Sequence, residues 1–292
     1  MAPITAYCVA ASFAAAATAF TPAPARVTSR WASAATSMAA RRPLMAGNWK
    51  MNPTGLDTAT ELAKGIAGAI GPDTPCDVAV FPPYPFIASA MAETAGSAVG
   101  VGAQSIFFED EGAYTGAVSI CQVKSMGCKY VLAGHSERRT VFKDDDTAIN
   151  RKVAKIVDNG LVAVLCIGET LDEYEEGLVK EVCAVQLAKD LKGVTPEQMS
   201  SVVIAYEPVW AIGTGLVATP DQAQTVHKYI RSWVATKYGD AIADATIIQY
   251  GGSVTPDSVD TLMAEPDIDG CLVGGASLVV EKFERIINFK PL

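Results

Sequence analysis

Two histidines, His135 and His227, are all that 292 residues contain, so a histidine-rich metal centre is excluded. The seven cysteines, Cys8, Cys76, Cys121, Cys128, Cys166, Cys183 and Cys271, include no CxxC pair and no Cys/His cluster with zinc spacing, and they read as reduced thiols. Cys121 and Cys128 can share a helix face, but two ordinary semi-buried thiols account for them better than a disulfide. Acid is absent from residues 1–42, which carry four arginines, Arg26, Arg30, Arg41 and Arg42; with −9 on the whole chain, that +4 leaves −13 on residues 43–292. A body so acidic is a poor partner for nucleic acid or an anionic membrane. Any anion it binds must be held by local devices such as loop amides and a single lysine. The alanine-rich apolar run from Ala6 to Phe20 is too short for a comfortable membrane span. No metal site or stable membrane association is therefore expected.

What is present is apolar residues, half of the chain, enough to bury a large core in one α/β barrel or two smaller domains. Residues 1–42 form a segment apart. An apolar stretch followed by Pro, Ser, Thr and Arg reads as a removable targeting presequence. Its junction around Ala17, Ala19, Phe20 and Pro22 resembles that of the bipartite presequences of complex plastids, which points to the plastid stroma. The weakly basic beginning keeps the mitochondrion, and simple secretion, as alternatives.

From Pro43 onward, short apolar runs alternate with helix-like segments. Eight strands are predicted: Leu44 to Gly47, Val78 to Phe81, Val99 to Ala103, Tyr130 to Ala133, Val162 to Cys166, Val202 to Tyr206, Ile247 to Tyr250 and Cys271 to Val273. Between them fall amphipathic helices. One is expected over Asp144 to Asn159, with Ile149, Val153, Ile156 and Val157 on its apolar face, and others start at Thr219-Pro220 and Thr255-Pro256. Eight strand–helix units in about 250 residues predict a single-domain (β/α)₈ barrel over residues 43–292. A doubly wound open sheet is the alternative that periodicity leaves standing.

Polar residues gather where the predicted strands end, the rim on which such barrels carry function. Asn48 and Lys50 follow the first strand, His135, Ser136 and Glu137 the fourth, Glu207 the sixth, Ser253 the seventh, and Gly274 and Gly275 the eighth. Pro208 keeps Glu207 extended at its strand end. The loop beyond it, with Trp210, Ile212, Gly213 and Gly215, has the composition of a hinged cover. Gly213, Gly215 and Ala218 mimic a dinucleotide fingerprint, but six residues separate the first glycine from the strand, so that reading fails. Taken singly, each polar residue has an ordinary explanation as a solvated charge, a structural histidine or a turn glycine. Five strand ends bearing them together suggest acid–base work on a small anionic molecule. His227 lies within a helix and is read as structural.

These motifs resemble the triosephosphate isomerase family: Asn48 to Asn52, Gly134 to Arg139, Cys166 to Glu169, Ala205 to Gly215, Tyr250 to Ser253 and Leu272 to Gly275, spread over the whole chain after Pro43. The resemblance implies interconversion of dihydroxyacetone phosphate and glyceraldehyde 3-phosphate through an enediol(ate), without a cofactor. By the same resemblance Glu207 is the base, His135 a neutral imidazole that polarises the carbonyl, and Lys50 with Asn48 the stabiliser of negative charge. Glu137 is implied as partner of Lys50, Ser136 as holder of the base while the lid is open, and Cys166 as a supporting residue. Phosphate is implied at the backbone N–H groups of Gly213, Ser253, Gly274 and Gly275. The lid comprises Pro208, Val209, Trp210, Ala211, Ile212, Gly213, Thr214 and Gly215, with Tyr250 and Ser253 holding it closed and Glu169 receiving Trp210 when it opens. Tyr114, Thr115 and Gly116 correspond to an interdigitating loop, which implies a homodimer.

Two departures from the family pattern fall at that interface. Ser105 replaces an asparagine, and Ala117 replaces a glutamate that commonly pairs with an arginine such as Arg138. An aldolase-type barrel using Lys50 as a Schiff-base nucleophile and a catalytically silent binding relative are the competing functional readings.

Overall fold

A computed structural model describes residues 41–212 and 218–290. Eight parallel strands close into a barrel in chain order: β1 Leu44–Asn48, β2 Asp77–Phe81, β3 Val99–Ala103, β4 Tyr130–Ala133, β5 Val162–Ile167, β6 Val202–Tyr206, β7 Ile248–Tyr250 and β8 Gly270–Val273. The helices among the described residues are α1 Leu56–Gly68, α2 Ile87–Glu93, α3 Ile120–Ser125, α4 Ser136–Thr140, α5 Asp146–Asp158, α6 Leu171–Glu175, α7 Val179–Asp190, α8 Pro220–Tyr238, α9 Asp240–Ala245, α10 Val259–Met263 and α11 Val280–Ile287. Closure is sealed by pairing of β1 with both β2 and β8. The expected barrel is therefore the fold, and the open sheet is excluded.

Near-continuous apolar strands follow from burial on both faces. Alternate residues point to opposite sides. One set, including Leu44, Ala46, Ala79, Phe81, Leu132, Val164, Cys166, Val203, Ala205 and Leu272, packs together as the barrel interior. The other set, including Met45, Val78, Val80, Val131 and Ile204, joins the larger cluster beneath the helices. On β3 the interior positions are Gly100 and Gly102, where any side chain would collide with the rings of Tyr130 and Phe81. Those rings fill the space the glycines leave. Truncating the fully buried Phe81 to alanine is expected to cost about 3–5 kcal/mol.

Local signals set the helix starts. Thr219 and Gln222 form a reciprocal capping box with Pro220 in the first turn of α8, as predicted. The start of α5 differs from expectation. Asp145 is the cap, its carboxylate accepting the Ala148 N–H at 2.7 Å, while Asp144 lies outside and binds Arg138 and Lys152. A second difference follows Thr255, whose hydroxyl accepts the Ser258 N–H at 3.2 Å in a turn; α10 begins only at Val259. Cys121 is exposed on α3 and Cys128 is buried beyond its end, both free thiols.

At the opposite end of the barrel from the strand termini, Arg41 reaches Asp269 at 2.5 Å and Arg42 reaches Asp77 at 2.7 Å. Asp269 also accepts from Arg231 at 2.5 Å and from the Ile248 N–H at 2.9 Å. The folded body thus includes both arginines assigned to the presequence. Residues 1–40 of that segment lie outside the described residues. No described helix is long and apolar enough to cross a membrane.

Candidate active site

Strand phase delivers the site. Asn48 lies two residues beyond Ala46, Gln104 two beyond Gly102 and Glu207 two beyond Ala205, so each continues an inward-facing series at the carboxyl end of its strand. Glu207 is anchored through its backbone N–H to the Ile167 carbonyl at 2.7 Å. A side chain at Gly251 would press on its Cγ, so glycine there leaves room for the carboxylate. Glu207 is almost fully buried.

After β4, Gly134 takes φ 75°, a left-handed conformation open to glycine, and turns the chain so that His135 caps α4. His135 Nδ1 accepts the Glu137 N–H at 3.2 Å, so the neutral ring carries its hydrogen on Nε2. That Nε2 stands 3.1 Å from Glu207 Oε1, while Glu207 Oε2 accepts the Ser136 N–H at 2.8 Å. Ser136 thus holds the carboxylate through its backbone rather than its hydroxyl.

Lys50 follows β1 with φ 53°, a conformation that costs a side-chain-bearing residue energy. Its N–H donates to Asn48 Oδ1 at 3.0 Å and its carbonyl accepts from Gln104 Nε2 at 2.7 Å. Its ammonium lies 2.7 Å from Glu137 Oε1. Gln104 escaped notice in the sequence, although its inward phase after Gly102 was a usable signal. Arg139 escaped too: it bridges the Gly134 carbonyl (2.8 Å), the Cys166 carbonyl (3.0 Å) and Asp190 (2.6 Å), tying β4 to β5. Cys166 is completely buried inside the barrel, and burial followed by the nearby Glu207 charge pushes its thiol up, so it stays protonated.

Beyond Glu207, Val209–Ala211 form one tight turn in which Trp210 and Ala211 are buried. Trp210 Nε1 donates to Glu169 at 2.7 Å and Tyr206 donates to the same oxygen at 3.0 Å. Burial pushes Glu169 up. Ser253 Oγ donates to the Ala211 carbonyl at 3.0 Å. Tyr250 is buried on β7. Gly213, Thr214 and Gly215 lie outside the described residues.

A cavity of about 660 Å³ is lined by Asn48, Lys50, His135, Glu207, Ser253, Gly274 and Gly275, with Ile212 at its edge. Nothing occupies the space a side chain at Gly275 would take, and the Lys50 chain passes 3.6 Å from that position at Gly274. Open backbone beside an ammonium suits an oxyanion. No group of three or more His, Cys, Asp or Glu suited to a metal occurs among the described residues.

Tyr114, Thr115 and Gly116 form an exposed loop tip after β3. Arg138 makes a bidentate pair within its own chain to Asp144 at 2.9 and 3.1 Å. Ser105 accepts from the buried Lys152 at 3.2 Å.

A buried carboxylate against an imidazole, beside a lysine and open glycine turns on a barrel rim, defines a (β/α)₈ enzyme for acid–base chemistry. A family profile described as triosephosphate isomerase matches residues 43–290. Relatives of that name include those of Herpetosiphon aurantiacus, 49% identical over 86% of this chain and all of the relative, and Carboxydothermus hydrogenoformans, 48% identical over 85% and 98%. The protein of Roseiflexus sp. is 44% identical over 86% and 99%. The chain belongs to the triosephosphate isomerase family.

Proposed function

We propose that this chain interconverts dihydroxyacetone phosphate and D-glyceraldehyde 3-phosphate, an aldose–ketose isomerisation. The observation that carries the reading is the buried contact between Glu207 and His135 at 3.1 Å, facing a cavity that also receives Lys50. Glu207 takes the proton from the carbon beside the carbonyl, and the electron pair of that C–H bond forms the C–C double bond. The carbonyl oxygen becomes an enediolate oxygen, held by the His135 Nε2–H and the Lys50 ammonium, with Asn48 orienting that lysine. The hydroxyl on the deprotonated carbon gives up its proton, and the enediolate oxygen takes one up by way of His135. The same carboxyl group returns its proton to the former carbonyl carbon, so the new carbonyl forms on the carbon first deprotonated. No electrons leave the substrate, so the cycle balances without a cofactor.

In the described state Ser136 and His135 hold Glu207, and Glu137 holds Lys50. Substrate must compete for both. The phosphate is assigned to the backbone N–H groups of Gly213, Ser253, Gly274 and Gly275. The lid of residues 208–215 closes over it with Tyr250 and excludes water from the enediolate. Two chains form a homodimer through Tyr114, Thr115 and Gly116; large exposed apolar side chains at Met51, Tyr114, Val141 and Phe142, all following β1, β3 or β4, support that surface. The segment ahead of Arg41 acts as a presequence directing the barrel, from Arg41 onward, to the plastid stroma, with the mitochondrion as the alternative. The arginine-rich, acid-free composition and a family match that begins at residue 43 support a separate leader.

A coupled assay with glyceraldehyde 3-phosphate on the full chain tests the reaction, with Glu207→Asp as control. Turnover should fall about a hundred-fold or more when the carboxylate is withdrawn by one methylene, with the far-UV circular dichroism unchanged. A folded wild-type dimer without turnover points to a silent scaffold instead.

A further inference from the structure

The end of β5 is a platform for the beginning of the lid. The Ile167 carbonyl accepts the Glu207 N–H at 2.7 Å, and the Glu169 carbonyl accepts the Val209 N–H at 3.1 Å. Between them, buried Gly168 packs so tightly on Glu207 that a Cβ would overlap the Glu207 carbonyl oxygen. The polar groups of Gly168 itself take no partner from β6. Its N–H donates to Gln186 Oε1 at 2.8 Å, and its carbonyl accepts from Gln186 Nε2 at 3.1 Å. One amide side chain, projecting from α7, thus satisfies both backbone groups of a buried residue.

We propose that Gln186 is a positioning residue for the general base, holding Gly168 in the place that fixes the main chain of Glu207 and the first hinge of the lid. The proposal rests on the isomerase reading for Glu207. No other side chain makes both bonds to Gly168 among the described residues, and an apolar substitute leaves a buried N–H and a buried C=O unpaired. The cheapest relief is for residues 167–169 to rotate, which moves the peptide that carries Glu207. Displacement of a catalytic group by about 1 Å costs up to about a hundred-fold in rate. Gln186 is not among the residues lining the cavity, so ground-state affinity has no reason to change.

The test compares wild type, Gln186→Leu and Gln186→Glu, measuring kcat and KM below the thermal midpoint of each, across pH 5 to 8. Gln186→Leu should lower kcat about ten- to a hundred-fold with KM within about three-fold. Gln186→Glu keeps the acceptor for the Gly168 N–H but faces its carbonyl with a second oxygen at neutral pH. Protonation restores the donor, so its kcat relative to wild type should climb as pH falls. A purely structural role lowers the thermal midpoint while leaving kcat of the folded enzyme at the wild-type value, and that result overturns the proposal. If Gln186→Leu does not fold, the pH-dependent recovery of Gln186→Glu decides, and a flat kcat ratio overturns it equally. Wild-type chain without isomerase turnover would instead refute the reading of Glu207, a separate failure.

Discussion

Lys50 Nζ lies 2.7 Å from Glu137 Oε1 while the Lys50 backbone is held at φ 53°. The chain accepts an unfavourable conformation in order to aim one ammonium. A non-glycine residue in that region costs about 1–3 kcal/mol, and glycine relaxes it against about 1 kcal/mol of added chain entropy. Lys50→Gly should therefore leave the thermal midpoint unchanged or higher while turnover collapses. A clearly lower midpoint would show that the bond to Glu137, not the backbone, dominates the energetics of this residue.

His227 is fully buried between Tyr206 and Tyr250, its Nδ1 3.1 Å from the Asp267 carbonyl. Burial lowers its pKa to about 4, against about 6.5 in an unfolded chain. Between those values the unfolded chain binds the proton first, so stability is full above pH 6.5 and is lost as pH falls towards 4, by up to about 3 kcal/mol. Urea midpoints at pH 7, 5.5 and 4.5 should fall more steeply for wild type than for His227→Gln. Parallel slopes would remove His227 from the acid transition.

Arg41 leaves a specific debt if removed. Asp269 is buried, and without Arg41 its Oδ1 loses the partner 2.5 Å away, while Arg231 and the Ile248 N–H continue to hold Oδ2. Arg41→Ala should destabilise by about 1–3 kcal/mol, read from thermal unfolding, with kcat intact because the pair sits at the far end of the barrel. Equal stability would show that Arg41 is solvated in solution.

The homodimer reading predicts a two-chain mass by sedimentation at micromolar concentration. Tyr114→Glu places a charge on the exposed loop tip and should shift the mass to one chain. A single-chain mass for wild type would mean that Ser105 and Ala117 cost the interface.

The strands were legible because burial on both faces leaves unmixed apolar runs, and all eight lie within a residue of where they were expected at each end. Glu207, Lys50 and His135 were legible because each follows a strand that the barrel forces to end on one rim. Asp144 was not: three successive aspartates all look like helix-start residues, and only the positions of Arg138 and Lys152 draw the first of them away. The strand phase of Gln104 was a signal left unread, whereas the contacts of Arg139 with the Cys166 carbonyl and of Gln186 with Gly168 carry none, since those partners lie 27 and 18 residues away respectively.

By itself, the sequence determined the periodicity of eight strand–helix units, the polar residues at their ends and the family those motifs share. Periodicity is a property of neighbours along the chain, readable without coordinates. Tertiary structure alone decided that the sheet closes, that Lys50 is held in a left-handed conformation, that His135 presents Nε2 to Glu207, and that Gln186 stands behind Gly168. Each depends on groups brought together from distant positions, where a difference of one ångström separates a hydrogen bond from a clash.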